Sequence, residues 1–329
     1  MIVYPLALAP ILLPKIWGGR SLERLFGRAL PEGSRIGESW EITDLPEGVS
    51  NVAVGPEAGR SLHELVERWG ERLVGSVPLV DGRFGLLIKF LDAEDVLSVQ
   101  VHPDEEACRQ IGGDARVKHE AWYIIEARGD AAIYAGLKSG VTRDQFAVAV
   151  TDGTVDRMLE RITVRSGDCY YLPSGTVHAL GAGVVVAEVQ TPSDTTYRVF
   201  DWNRLGDDGK PRDLHVEQAM VCIHFGEPPP VQQPRRHASD PWTTTTRLVT
   251  CPRFAIDKIR AAEGFERRLE VDQMLIWMFL AGRGRFTTAG LDEPIRVQAG
   301  QSVIVPARPD QTVFAAETDC TWLQATVPG

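Results

Sequence analysis

Several features that would narrow the function of this chain at once are missing from it. Its five cysteines, at 108, 169, 222, 251 and 320, are widely spaced and form no Cys-x-x-Cys pair, which argues against a disulfide framework or a thiolate zinc site. No lysine or arginine run offsets the formal net charge of −10, so a nucleic acid or an anionic membrane surface would be repelled. Long hydrophobic runs are absent as well. Pro10 and Pro14 interrupt the apolar N-terminal stretch and no basic segment precedes it, which argues against a signal peptide or membrane span. A protein of the reducing cytoplasm is expected. Its 329 residues, 43% apolar and 24% charged, are ordinary globular material with room for two domains.

Helical periodicity is also scarce, and short β-rich runs bounded by Gly, Pro, Asp and Ser dominate, so the fold class expected is all-β with a few short helices. One helix is predicted over 62–73, where Leu62, Leu65, Val66, Trp69 and Leu73 share a face behind a Ser61-x-x-Glu64 capping box. A second helical patch, 143–160, starts at a Thr142–Gln145 capping box, breaks at Asp152-Gly153 and reads as an insert between strands. The proline-rich segment 226–240 reads as a linker, dividing residues 1–235 from 236–329. An internal repeat supports that division. Gly167 to His178 and Gly300 to Gln311 each run from a Gly turn through a strand to a proline six positions on. The second copy has Arg308 in place of Gly175 and Gln311 in place of His178, so it keeps the architectural signals and lacks the ligand.

The chemistry starts at Leu97 to Asp104. Residues two apart on a strand point the same way, so Ser98, Gln100 and His102 would converge on one surface while Val99 and Val101 pack behind it. Gly175-Thr176-Val177-His178 closes a Gly-x5-Pro-x-Gly-x2-His pattern that resembles the cupins, jelly-roll β-barrels that usually carry His-x-His where this chain has Gln100-x-His102. With Glu120 following in Lys118-His119-Glu120-Ala121-Trp122, the candidate metal set is Gln100, His102, Glu120 and His178. It suits zinc or another borderline first-row ion, one per chain, with a position left open.

Those stretches, together with Glu188-Val189-Gln190, Thr196 to Trp202, Lys15 to Gly19, Gly37 to Glu41 and Leu87 to Ala93, resemble class I mannose-6-phosphate isomerases of the short bacterial type over most of the chain. The resemblance implies two cupin β-domains, a catalytic one at 1–235 with the insert at 143–160 and a ligand-free one at 236–329. It implies zinc-dependent exchange of mannose 6-phosphate and fructose 6-phosphate through a cis-enediol(ate), which needs charge stabilisation on oxygen and a proton carrier. Arg198 matches the position usually given the catalytic role, and as a permanent cation it would stabilise the enediolate and orient the sugar oxygens. Ser98, Lys89 and Arg204 match positions at the phosphate end. Glu188, two residues before Gln190 on one strand face, is the candidate proton carrier, and Lys118 would neutralise charge beside Glu120. A phosphosugar is the implied partner, with no nucleic acid or membrane, and the oligomeric state is left open.

Each residue has a plainer reading. Gln100 could hydrogen-bond a ligand instead of binding metal, and Arg198 could be a buried cation paired to Asp194 or Asp201. His119 would face away from Glu120, while His63, His215, His224 and His237 lie outside the motifs. Trp17, Trp40 and Trp277 are more simply core than sugar-stacking platforms. Another metal-dependent cupin isomerase or an oxygenase shares the barrel, although an oxygenase would call for a 2-His-1-carboxylate iron face. A non-catalytic sugar-binding cupin would have lost the metal residues, as the second copy has.

Overall fold

A computed structural model describes residues 2–206 and 209–328. Strand Val184–Gln190 is buried at every position, and its side chains go two ways. Val185, Ala187 and Val189 join one apolar cluster, whereas Val184 and Val186 join another. Its neighbours Leu87–Ala93 and Glu120–Ala127 split likewise, with Ile88, Phe90, Ala121 and Tyr123 on one side and Leu91, Ala93, Trp122 and Ile124 on the other. Strands covered on both faces read as continuous apolar runs, and a charge within such a run stands out. The period of two then puts Lys89, Glu120 and Glu188 on the face of Leu91, Trp122 and Val186.

These strands belong to a six-stranded antiparallel sheet in the order Cys169–Leu172, Glu120–Ala127, Val184–Gln190, Leu87–Ala93, Ile36–Ile42 and Ile11–Gly19. A five-stranded sheet faces it, ordered Leu159–Thr163, Ala132–Leu137, His178–Leu180, Val99–Val101 and Tyr197–Phe200. Apolar residues of both sheets, among them Trp122, Ile124, Ile133, Leu172 and Leu180, form one shared cluster. The result is the expected cupin-like all-β fold. Helices Glu105–Ile111, Arg143–Asp152 and Val216–Cys222 contribute to a third cluster with Val99, Val101, Ala179 and Val199.

Both predicted capping boxes form. Ser61 and Glu64 start helix Leu62–Trp69, which Gly70, at φ 49°, separates from a further turn at Glu71–Val74. Thr142 and Gln145 start helix Arg143–Asp152, which ends at Gly153 in the left-handed conformation. Residues 155–158 then form a 3₁₀ turn leading into strand Leu159–Thr163, so the end of the expected insert is a sheet strand.

The other face of the six-stranded sheet packs on the large cluster that includes the C-terminal strands. These lie in an eight-stranded sheet and a four-stranded one. The linker segment is strand-forming at its end, Arg236–Ser239 pairing with Thr243–Thr250. The chain's first strand, Leu6–Ala9, pairs with Ser302–Val305 and Asn51–Val52, so residues from the start of the sequence complete the C-terminal sheet. Trp277, Phe279, Phe286, Phe314 and Trp322 fill the interior there, with Trp277 and Trp322 stacked at 4.7 Å between centroids.

The two repeat copies differ where this filling requires it. Strands Cys169–Leu172 and Ser302–Val305 both follow a glycine of positive φ, at 95° for Gly167 and 82° for Gly300. Gly175 has φ 84°, and a Cβ there would sit 2.4 Å from the His224 ring, so only glycine fits. Arg308 occupies the matching position without positive φ. His178 is buried in the first copy, and Gln311 is exposed in the second. Replacing Trp277 by alanine should destabilise the protein by about 3–5 kcal/mol and leave bound metal per folded chain unchanged. Denaturant unfolding and metal analysis read the two effects, and metal loss from folded variant would contradict the separation of the two interiors.

Candidate metal centre

His178 opens a strand of the five-stranded sheet, His102 directly follows its strand Val99–Val101, Glu120 comes from the sheet opposite, and all three are buried. One ligand atom from each lies within 4.8 Å of the others. Backbone carbonyls set the tautomers. His102 Nδ1 is 3.1 Å from the Thr195 carbonyl and His178 Nδ1 is 2.8 Å from that of Thr176. A carbonyl only accepts, so each Nδ1 carries the proton and each Nε2 presents a lone pair. Both Nε2 atoms face Glu120, His102 at 3.1 Å from Oε2 and His178 at 3.1 Å from Oε1. Glu120 Oε1 accordingly has a close neighbour but no hydrogen-bond donor.

Protonating His102 would relieve part of this clash of acceptors, but its surroundings oppose it. Burial, reinforced by the Lys118 cation, lowers the His102 pKa to about 3. Burial works against ionisation of Glu120 also, yet the adjacent Lys118 ammonium opposes it and the carboxyl is held well below its ordinary range. An ionised carboxylate and two imidazole Nε2 atoms aimed at one point fit a divalent cation. Gln100 is the cross-strand partner of both His178 and Arg198, and its amide nitrogen is 3.4 Å from His178 Nε2. A half-turn of that amide would exchange the nitrogen for Oε1, a fourth oxygen or nitrogen donor.

Charged side chains surround this group. Lys118 Nζ lies 3.3 Å from Glu120 Oε2. Glu188 is fully enclosed, its Oε2 accepting from Trp122 Nε1 at 2.8 Å, and burial followed by the charge of Glu120 raises its pKa. Lys89 is buried between Glu38 at 3.4 Å, Glu188 at 3.7 Å and Asp194 at 3.4 Å, with Trp40 beside it. Its ammonium is thus committed to three carboxylates. Arg204 likewise engages Asp201 at 2.7 Å, Asp95 at 3.2 Å and the Val96 carbonyl at 2.5 Å. Both cations matched to the phosphate end thus carry carboxylate partners. Arg198 has neither of the carboxylate partners of its plainer reading: Nε donates to Ser98 Oγ at 3.2 Å and Nη1 to the Asp213 carbonyl at 2.7 Å. Its side chain is half-buried.

His119 faces away as expected, hydrogen-bonding Tyr171 at 2.8 Å. Trp17, Trp40 and Trp277 are buried. Sequence reasoning passed over Glu38, although a carboxylate next to Trp40 in an otherwise buried strand is a readable signal. The Thr195 and Thr176 carbonyls that set the imidazole tautomers have no side-chain signature at all. Among the described residues no helix is long and apolar enough to cross a membrane.

Comparison with known proteins agrees with this geometry. The family model for the type I phosphomannose isomerase catalytic domain matches residues 6–152. A mannose-6-phosphate isomerase of Streptococcus mutans is 36% identical, with 92% of each chain covered. The mannose-6-phosphate isomerase ManA of Bacillus subtilis is 34% identical over 93% of this chain and 94% of its own. A crystal structure of the mannose 6-phosphate isomerase from Bacillus subtilis superimposes with a TM-score of 0.87 at 31% identity, covering 98% of this chain and all of the other.

The buried charges also make stability depend on pH. Burial opposes ionisation of Glu38, but Lys89 and Lys15 prevail and lower its pKa from 4.5 to about 2. A depressed carboxylate pKa contributes stability that is complete above the open-chain value and is lost as pH falls toward the folded one. Glu38→Gln should therefore cost up to about 3 kcal/mol at pH 7 and flatten the loss of stability between pH 4.5 and 2. Denaturant titrations across that range test it, and equal pH slopes in variant and parent would refute it.

Proposed function

The chain belongs to the type I phosphomannose isomerase family, and on that footing we propose that it interconverts mannose 6-phosphate and fructose 6-phosphate in the cytoplasm with one zinc ion per chain. The observation that carries the metal assignment is the convergence of unprotonated His102 and His178 Nε2 on the Glu120 carboxylate. Gln100 completes the set through its amide oxygen. When bound, the ion would supply Lewis-acid polarisation of the substrate's carbonyl. We assign this centre to residues 1–235, with 236–329 as a C-terminal domain without ligands.

The chain's own groups account for the rest of the reaction. Glu188 takes the proton from one of C1 and C2 and returns it to the other. Its raised pKa makes it a better proton acceptor than an ordinary carboxylate, and Trp122 fixes its direction. Arg198 faces the developing enediolate oxygen, its guanidinium held by neutral acceptors so that its charge remains for the substrate. Lys118 offsets the charge of Glu120. Ser98, in contact with Arg198, supplies a hydroxyl to the phosphate end. Lys89 and Arg204 act through the carboxylates they hold, and keep Glu38, Glu188, Asp194 and Asp201 in place.

Purified protein should contain about one equivalent of zinc and exchange the two phosphosugars, lose exchange on chelation and regain it with added zinc. His178→Ala should lose metal and turnover together. Absence of exchange by metal-replete protein would refute the activity, and unchanged zinc in the His178 variant would refute the ligand set.

A further inference from the structure

Asp201 directly follows strand Tyr197–Phe200, which carries Arg198, and it is buried. Both its oxygens are used by the fork of Arg212, Nε on Oδ2 at 2.7 Å and Nη2 on Oδ1 at 2.6 Å. Arg204 Nη2 adds a third bond to Oδ1 at 2.7 Å. One carboxylate therefore ties together two arginines that lie on the stretches leaving and returning to this strand.

The returning stretch is what holds Arg198. Asp213, next to Arg212, supplies the carbonyl that accepts Arg198 Nη1 at 2.7 Å. His215 brackets the Arg198 backbone, donating its N–H to the Arg198 carbonyl at 2.8 Å and accepting the Arg198 N–H on Nδ1 at 3.3 Å. The outgoing turn is fixed too. Trp202 and Asn203 both have φ 55°, a conformation bulky residues adopt only under constraint, and Trp202 Nε1 donates to the Leu97 carbonyl at 2.6 Å.

We infer that Asp201 is a positioning residue, which aims the Arg198 guanidinium at the substrate by anchoring 212–215 through Arg212. The inference rests on the assignment of Arg198 to the reacting oxygens. A carboxylate bonded directly to Arg198 would orient it and also neutralise it. Holding the carboxylate one residue away and letting a neutral carbonyl make the contact orients the guanidinium while sparing its charge. Bidentate pairing by Arg212 fixes the anchor in angle as well as distance. Without Asp201, three arginines would crowd together and repel the returning stretch.

The test is a double-mutant cycle on metal-loaded full-length protein, with zinc content measured for every variant. Asp201→Asn should lower kcat about tenfold or more, with KM changed less than about twofold and zinc retained. In an Arg198→Lys background the same change should cost less than about twofold, because the arginine it aims is gone. Arg212→Gln, which removes the anchor from the other side and leaves Asp201 paired to Arg204, should reproduce the loss in kcat. Equal losses in both backgrounds, or an effect confined to KM, would overturn the role of Asp201 while leaving the isomerase reading intact. A metal-replete wild type with no exchange would overturn that reading and this inference with it.

Discussion

Glu120 placed between two imidazoles that have given their protons to carbonyls is the constraint on which the rest of the structure depends. Buried acceptors that face one another are costly unless a cation joins them. At His102 and Glu120 the surroundings oppose the cheaper solution, protonation. Thr195 and Thr176 fix the tautomers, burial keeps His102 neutral, and Lys118 holds Glu120 ionised. The Gly175 turn belongs to the same arrangement, since its N–H donates to the His102 carbonyl at 2.9 Å and its missing Cβ makes room for His224. His102, Glu120 and His178 could together hold a metal ion.

Around the centre, charge is arranged in alternation. Lys89 and Lys118 separate Glu38, Glu188 and Glu120, so each of these three carboxylates has a cation nearby. The effect on each is different. Glu38 is driven toward ionisation, while Glu188, enclosed and facing Glu120, is driven toward the proton. Environments that push the pKa values of two carboxyls apart can assign them separate tasks, one structural and one a proton carrier. Arg198 stands outside this pairing, bonded to the Ser98 hydroxyl and the Asp213 carbonyl.

The C-terminal repeat shows what the same strand pattern becomes without that centre. Trp277, Phe279, Phe286, Phe314 and Trp322 occupy its interior, and aromatic packing supplies there the cohesion that the first interior obtains from apolar residues around an ionic group. An interior so filled has no need of an inward-facing ligand, and Gln311 lies at the surface. Contact between the two halves runs through the six-stranded sheet's outer face, with Ile88, Phe90, Tyr123 and Val185 sharing a cluster with the C-terminal strands.

What the sequence by itself determined was local or repeated: strands by alternation, the helix starts at Ser61 and Thr142, and the duplicated Gly-to-Pro unit. These follow from side-chain direction and capping, which depend on residues a few positions apart. Tertiary structure decided which charges meet. Lys89 and Arg204 match phosphate-end positions in the sequence, and the fold sets carboxylates beside them from far along the chain, Asp194 105 residues from Lys89 and Asp95 109 from Arg204. The same holds for the imidazole tautomers, set by carbonyls with no side-chain signature, and for Leu6–Ala9, which completes a sheet with strand Ser302–Val305. Pairing across such separations depends on how whole sheets face and cross, and no local pattern carries that information.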